Sequence, residues 1–201
     1  MKLIKLGVKS KMTNISQKWL SALDVLVPVT RDYSGKIYAS EVARKTKIPQ
    51  KTVHRKLELL VKNNLLNYVR EGKNKHYFLD FNQKSTFSLL AMVESFKELN
   101  FINNHPEIGV LFNEIPGNFI LFGSYAKGLA KKNSDIDLII IGKENEKINK
   151  VRKRSPFEIN IFYFTSSEFR KFLDKEEHLA KEVIKDHILF GEKEKIIEMF
   201  K

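Results

Sequence analysis

The chain has no cysteine among its 201 residues. That excludes disulfide scaffolds and metal sites built on thiolates. No apolar run approaches the ~20 residues that a membrane-spanning helix needs. Residues 1–13 alternate lysine with Leu, Ile and Val and contain no signal-peptide core, so a cytoplasmic location away from any membrane is expected. Glycine (9) and proline (5) are sparse, with no internal repeat and no low-complexity segment. A length of 201 residues suits one large or two small domains, and 42% hydrophobic residues suffice for their cores.

Acidic residues are scarce in one half only. Residues 1–80 carry 17 Lys+Arg against 6 Asp+Glu, a net +11; residues 81–201 carry 19 against 18, a net +1. A basic half joined to a near-neutral half points to a polyanionic partner for the first and a different task for the second.

In the basic half, Ile15, Trp19, Ala22, Leu23 and Leu26 form a helical stripe over Asn14–Val27. Arg31–Lys36 reads as a polar turn. Ser40 would cap a short helix, Glu41–Thr46. Lys47-Ile48-Pro49 turns into a helix over Gln50–Asn63, with Pro49 at its start. Val53, Leu57, Leu60 and Val61 face inward, while Gln50, Lys51, Thr52, His54 and Arg55 lie opposite. Leu65–Val69 and Lys75–Phe81 then read as strands around a turn over residues 70–74. Three helices and a β-hairpin make a winged helix-turn-helix, and Ile37–Asp80 resembles that family, above all in Lys47-Ile48-Pro49-Gln50-Lys51-Thr52-Val53. The resemblance implies that Gln50, Lys51, Thr52, His54 and Arg55 enter the major groove of double-stranded DNA, with Lys73 and Lys75 of the wing on backbone phosphate.

Thr86–Asn103 is apolar at Leu89, Leu90, Met92, Val93, Phe96, Leu99 and Phe101. It reads as a linker helix that packs between two domains or pairs with a second copy. The expected division is therefore 1–82, a linker helix over 83–105, and 106–201.

In the last part, Asn118–Phe122 reads as a buried strand ending at Gly123. Gly123 allows a sharp turn and close approach of a ligand. Ser124 would cap the short helix that follows; Lys127 adds a point charge and Gly128 closes the turn. A phosphate suits such a place. Twelve residues after Gly123, a second strand over Asp135–Ile141 sets Asp135 and Asp137 on one face. Two carboxylates beside a phosphate cradle suit Mg²⁺, which takes one or two carboxylates plus substrate phosphates. Ser166–Lys201 reads as two helices around Ile188-Leu189-Phe190-Gly191.

Phe122-Gly123-Ser124-Tyr125-Ala126-Lys127-Gly128 followed by Ser134-Asp135-Ile136-Asp137 resembles the minimal nucleotidyltransferase signature of the DNA polymerase β superfamily, over roughly residues 106–201. The resemblance implies an α+β fold, with a small mixed sheet flanked by helices. It implies ATP or another NTP on Gly123 and Ser124, and Mg²⁺ on Asp135 and Asp137. The family adds a third carboxylate on a following strand. Here that strand is Phe157–Phe164, where the hydrophobic frame puts Asn160 at the acid's place and Glu158 one same-face step earlier. An amide cannot accept a proton at neutral pH. The expectation is NTP and Mg²⁺ binding with slow or absent transfer of NMP, chiefly AMP, to a hydroxyl acceptor, with Glu158 or Asn160 completing the site. Small members of this family often act as antitoxins toward a HEPN-type partner protein. A different outcome is a transcription regulator whose second domain senses nucleotide or forms a homodimer without turnover.

Overall fold

The computed structural model describes residues 22–28, 30, 33, 35–72, 74–175 and 177–201. They form two compact units. The first takes residues up to Val29 and Gly35–Asp80; the second takes Thr30–Ser34 and Phe81–Lys201. Among the described residues no helix is long and apolar enough to cross a membrane.

In the first unit residues 22–26 are helical (α1), with Ala22, Leu23, Val25 and Leu26 buried; Ile15 and Trp19 of the expected stripe lie outside the described residues. A short strand β1 (Ile37–Tyr38) runs directly into α2 (Ala39–Thr46). The helix therefore begins at Ala39, with Tyr38 at its N-cap and no side-chain cap; Ser40 does not serve as one. Lys47 turns left-handed, at φ 58°, and ends α2. Pro49 then starts α3 (Gln50–Lys62), and its carbonyl accepts from Thr52 N and Val53 N. Two strands follow, β2 (Asn67–Glu71) and β3 (Asn74–Phe78), antiparallel, in a sheet ordered β1-β3-β2. The hairpin is tighter than expected, because Glu71 pairs with Asn74 around Gly72 at φ +61°. Val42, Val53, Leu57, Leu60, Leu66 and Tyr77 fill the core. Three helices and a hairpin with a closing strand give this unit the layout of a winged helix-turn-helix.

The second unit opens with α4 (Lys84–Asn104), the helix read as a linker, which packs on elements of this unit: α5 (Pro106–Phe112), β7 (Ile188–Phe190) and α10 (Lys193–Ile197). Between them run β4 (Asn118–Phe122), α6 (Gly123–Ala126), β5 (Ile136–Ile141), α7 (Glu146–Arg154), β6 (Ile159–Phe164), α8 (Ser166–Leu173) and α9 (His178–Lys185). The sheet order is β6-β5-β4-β7. β4 is antiparallel to β5 and β7, while β5 and β6 are parallel. A parallel pair needs a crossover, and α7 supplies it. Ile188–Phe190, expected between two helices as a connection, is a strand: its three buried apolar residues pair with Phe119, Ile120 and Leu121.

One sheet face buries Phe119, Leu121, Leu138, Ile140 and Ile159 under α5 and α7, with Phe112, Ile148 and Val151 among the covering residues. The period-2 alternation of strands puts Phe122, Asp137, Asn160 and Phe162 on the other.

A buried polar cluster lies elsewhere in this unit. Tyr33 Oη donates to Glu94 Oε1 (3.0 Å) and lies 2.9 Å from His187 Nε2; Lys97 Nζ donates to Glu94 Oε1 (2.9 Å); His187 Nδ1 lies 2.8 Å from the Val183 carbonyl. Burial raises Glu94 despite the opposing pull of Lys97. Burial, with the Lys97 charge, holds His187 well below its usual range. The imidazole is neutral, so its 3.8 Å approach to Glu94 is not an ion pair.

Candidate functional site

β4 delivers the chain to Gly123, whose φ of +72° is a conformation that side chains rarely adopt. A Cβ at this position would collide with the Asp137 carboxylate. The glycine thus lets the backbone press against an acid. α6 is four residues long and starts at Gly123 itself, with Phe122 at its N-cap; the expected capping by Ser124 is corrected here, and Ser124 instead accepts from Leu129 N through its carbonyl at 2.9 Å. Gly128, at φ +69°, closes the turn.

Asp137 stands opposite Phe122 on one side and Asn160 on the other, by register of β4-β5 and β5-β6. Asn160 Nδ2 donates to Asp137 Oδ1 at 3.0 Å. Asp135 lies just before β5 and is half-buried. Glu158 is exposed at the entry to β6, and its carbonyl accepts from Ile136 N at 2.9 Å. Asn160, not Glu158, is the neighbour of Asp137. Phe162, on the same face and 39% exposed, lies with its ring 5.9 Å from that of Phe122.

Burial raises the Asp137 carboxyl above its usual range; the Asn160 hydrogen bond opposes this, Asp135 and Glu182 add to it, and Lys127 opposes it. Lys127 forms an ion pair with Glu182 of α9. Glu182 went unread in the sequence, where it looks like any charge on an amphipathic helix; 55 residues separate it from Lys127. Among the described residues no three acidic or imidazole side chains gather as a metal site. The donor set beside the glycine turn is two carboxylates and one amide. That set fits Mg²⁺ completed by substrate phosphates, and it lacks the third acid.

In the first unit Gln50, Lys51, His54 and Arg55 are exposed on α3, and Thr52 is half-buried. Lys75 does not present its charge outward: its ammonium donates to Glu58 (2.6 Å) and stands 3.5 Å from the centre of the Tyr68 ring. Lys73 lies outside the described residues. His54 Nδ1 is 3.3 Å from Tyr77 Oη, which donates to Glu58 at 2.6 Å. An open cleft of about 700 Å³ elsewhere in the second unit is lined by Phe87, Arg170, Leu173 and Phe200 among others, and by no residue of the glycine turn or β5.

The family model of the nucleotidyltransferase domain matches residues 110–200, within the second unit and somewhat under half of the chain. No curated protein matches the chain. Among solved structures, one similar to part of it is the solution NMR structure of a homodimeric winged helix-turn-helix DNA-binding domain (fragment 1–100) from Mycobacterium bovis, a possible ArsR-family transcriptional regulator. The identity is 12%, the alignment covers 50% of this chain and 92% of that one, and the TM-score of 0.32 is too low to bear on fold or ligand. The second unit thus holds, from residue 110 to residue 200, a region similar to nucleotidyltransferase domains.

Proposed function

We propose that the second unit binds a nucleoside triphosphate with Mg²⁺ and transfers its NMP, chiefly AMP, slowly to a hydroxyl acceptor. Nucleotidyltransferase domains generally use an NTP and a divalent metal. The observation that carries the reading is the contact of Gly123 with Asp137, a backbone held against a carboxylate by the absence of a side chain. Gly123 and Ser124 would hold the triphosphate, with Lys127 as a point charge; Asp135 and Asp137 would hold the metal. Bound there, Mg²⁺ would neutralise phosphate charge and orient the attacking hydroxyl. Asn160 keeps Asp137 oriented through its amide, but it cannot take the acceptor's proton. Exposed Glu158 does not replace it as a neighbour of Asp137. This favours weak transfer, and it equally supports a second reading, a nucleotide sensor or dimerisation module without turnover. Incubation with α-labelled ATP, Mg²⁺ and acceptor extracts decides: label on a macromolecule supports transfer, and Asn160→Asp should raise it. Fast transfer by the natural sequence, unaffected by Glu158→Gln, would remove Asn160 as the limiting feature.

The first unit is proposed to bind double-stranded DNA through α3. Lys51 and Arg55 are exposed there, and among the described residues neither has an acidic partner within an ion-pair distance. Affinity of the full chain for duplex should fall steeply with salt, and Lys51→Ala or Arg55→Ala should each reduce the salt slope by about 1. Absence of any shift at about 100 μM and low salt, the weak end of non-specific binding, would refute it. A regulator that joins DNA binding to a nucleotidyltransferase-like unit suits an antitoxin paired with a HEPN-type protein, and co-purification from the native host tests that pairing.

A further inference from the structure

Lys127 follows the glycine turn directly, and its ammonium is held by Glu182, from a different element 55 residues away. The pair is neither a solvated surface contact nor a buried core bridge: the Lys127 side chain is 33% exposed and that of Glu182 19%. Lys127 N donates to the Gly123 carbonyl at 3.1 Å, and Gly123 in turn presses against the Asp137 carboxylate, so the pair adjoins the face that carries Asp135 and Asp137. Without a ligand this neighbourhood holds three carboxylates and one ammonium, which is already engaged. The His178 imidazole also approaches Glu182, its Nδ1 4.0 Å from Oε2, but it is almost wholly exposed.

We propose that the Glu182 carboxylate occupies, in the ligand-free protein, the place on Lys127 that a nucleotide phosphate takes, so that Glu182 sets a preference for nucleotide arriving with its metal over free nucleotide. This rests on the nucleotide reading above. Lysine is a compact point charge on a flexible stem, able to exchange one anion for another without rebuilding its surroundings. A phosphate must displace a carboxylate to reach it. A metal-free triphosphate would meet Asp135, Asp137 and the released Glu182 with only Lys127 in compensation. A triphosphate accompanied by Mg²⁺ brings the charge that the two aspartates need, and the cost of releasing Glu182 is offset. The residue is thus a competitor for Lys127 that raises specificity through repulsion, which is one of the two ways binding sites discriminate.

The test is ATP binding to the full chain by calorimetry, with Mg²⁺ and with EDTA, for the natural sequence, Glu182→Gln, Lys127→Met and the double variant. Glu182→Gln should tighten metal-free ATP binding by about fivefold, the upper end of what a part-exposed ion pair contributes, and should tighten Mg-ATP less. In the Lys127→Met background the gain should shrink to the smaller part that repulsion alone supplies, because there is no longer an ammonium to release. An equal gain in that background would overturn the proposal, since removal of a negative charge alone would then explain it. Weaker ATP binding by Glu182→Gln would overturn it too, by making Glu182 part of the ligand contact. Glu182→Ala carries the same expectations if the Gln variant does not fold. ATP bound by the natural sequence as tightly without metal as with it would overturn the preference alone. No ATP binding by any of the four proteins would overturn the nucleotide reading and this inference with it.

Discussion

Glu94 and Asp137 are both carboxylates of the second unit, and burial raises both above the usual range. Their surroundings differ. Glu94 is wholly buried, with Lys97 and the Tyr33 hydroxyl on one oxygen and a neutral His187 beside it. Asp137 is half-buried, accepts from one amide, and has Asp135 and Glu182 as like-charged neighbours. The first cluster sets an ammonium and a hydroxyl against its own carboxylate. The second leaves negative charge unbalanced on a face that solvent reaches. The difference separates a carboxylate engaged by partners inside the fold from one proposed to hold a cation, although both are displaced in the same direction.

Substitutions should separate the two clusters by size and sign. Glu94→Ala should cost about 3–5 kcal/mol in denaturant unfolding of the full chain, because it strands Lys97 and a buried hydroxyl. Tyr33→Phe should cost about 1–3 kcal/mol by the same measurement, as it removes a donor from a buried acceptor. His187 has a depressed value in the folded state, so it contributes stability above the ordinary 6.5 that is lost as pH falls below it. Glu94, with a raised value, works in the opposite direction between its folded value and the ordinary 4.5, because folding favours its protonated form. Replacing His187 by Gln should therefore turn the acid-side slope of stability toward gain, whatever the absolute loss. Asp137→Asn should have the smallest effect on folding. Its raised value means that ionisation works against folding as pH rises, so above neutral pH this variant should match or exceed the natural protein in Tm while losing Mg²⁺-dependent ATP binding. A loss of stability there comparable to that of Tyr33→Phe would erase the distinction between the clusters.

Much of this was readable beforehand wherever one local rule decided the outcome. The alternation of Asp135, Asp137 and the apolar residues between and after them marks β5 as a covered strand with acids at its start, and Asn118–Phe122 ends where Gly123 must turn. The position of Asn160 follows from hydrophobic frame alone, and the parallel register sets it beside Asp137. What stayed hidden depends on distance in the chain. Glu182 meets Lys127 only through the fold, and Ile188–Phe190 becomes a strand only because β4 offers it an edge. Lys75 looks like a free wing cation until Glu58, on α3, claims it. The short helices α5 and α7 are too brief or too charged to stand out by periodicity. Ser40 and Ser124 fail as caps because in each case the helix starts two residues earlier than a serine cap requires, straight from a strand.

Tyr33 has one more consequence. The residues on either side of Thr30–Ser34 belong to the first unit, yet that segment belongs to the second. The two units are interleaved along the chain, so no single cut separates them. A fragment ending at residue 80 would carry the Tyr33 phenol away from Glu94 and His187, and the complementary fragment would keep an acid and an imidazole facing a vacancy. Dissection of this protein into halves would measure the damage of the cut, and the work of each unit has to be assigned by substitution within the intact chain.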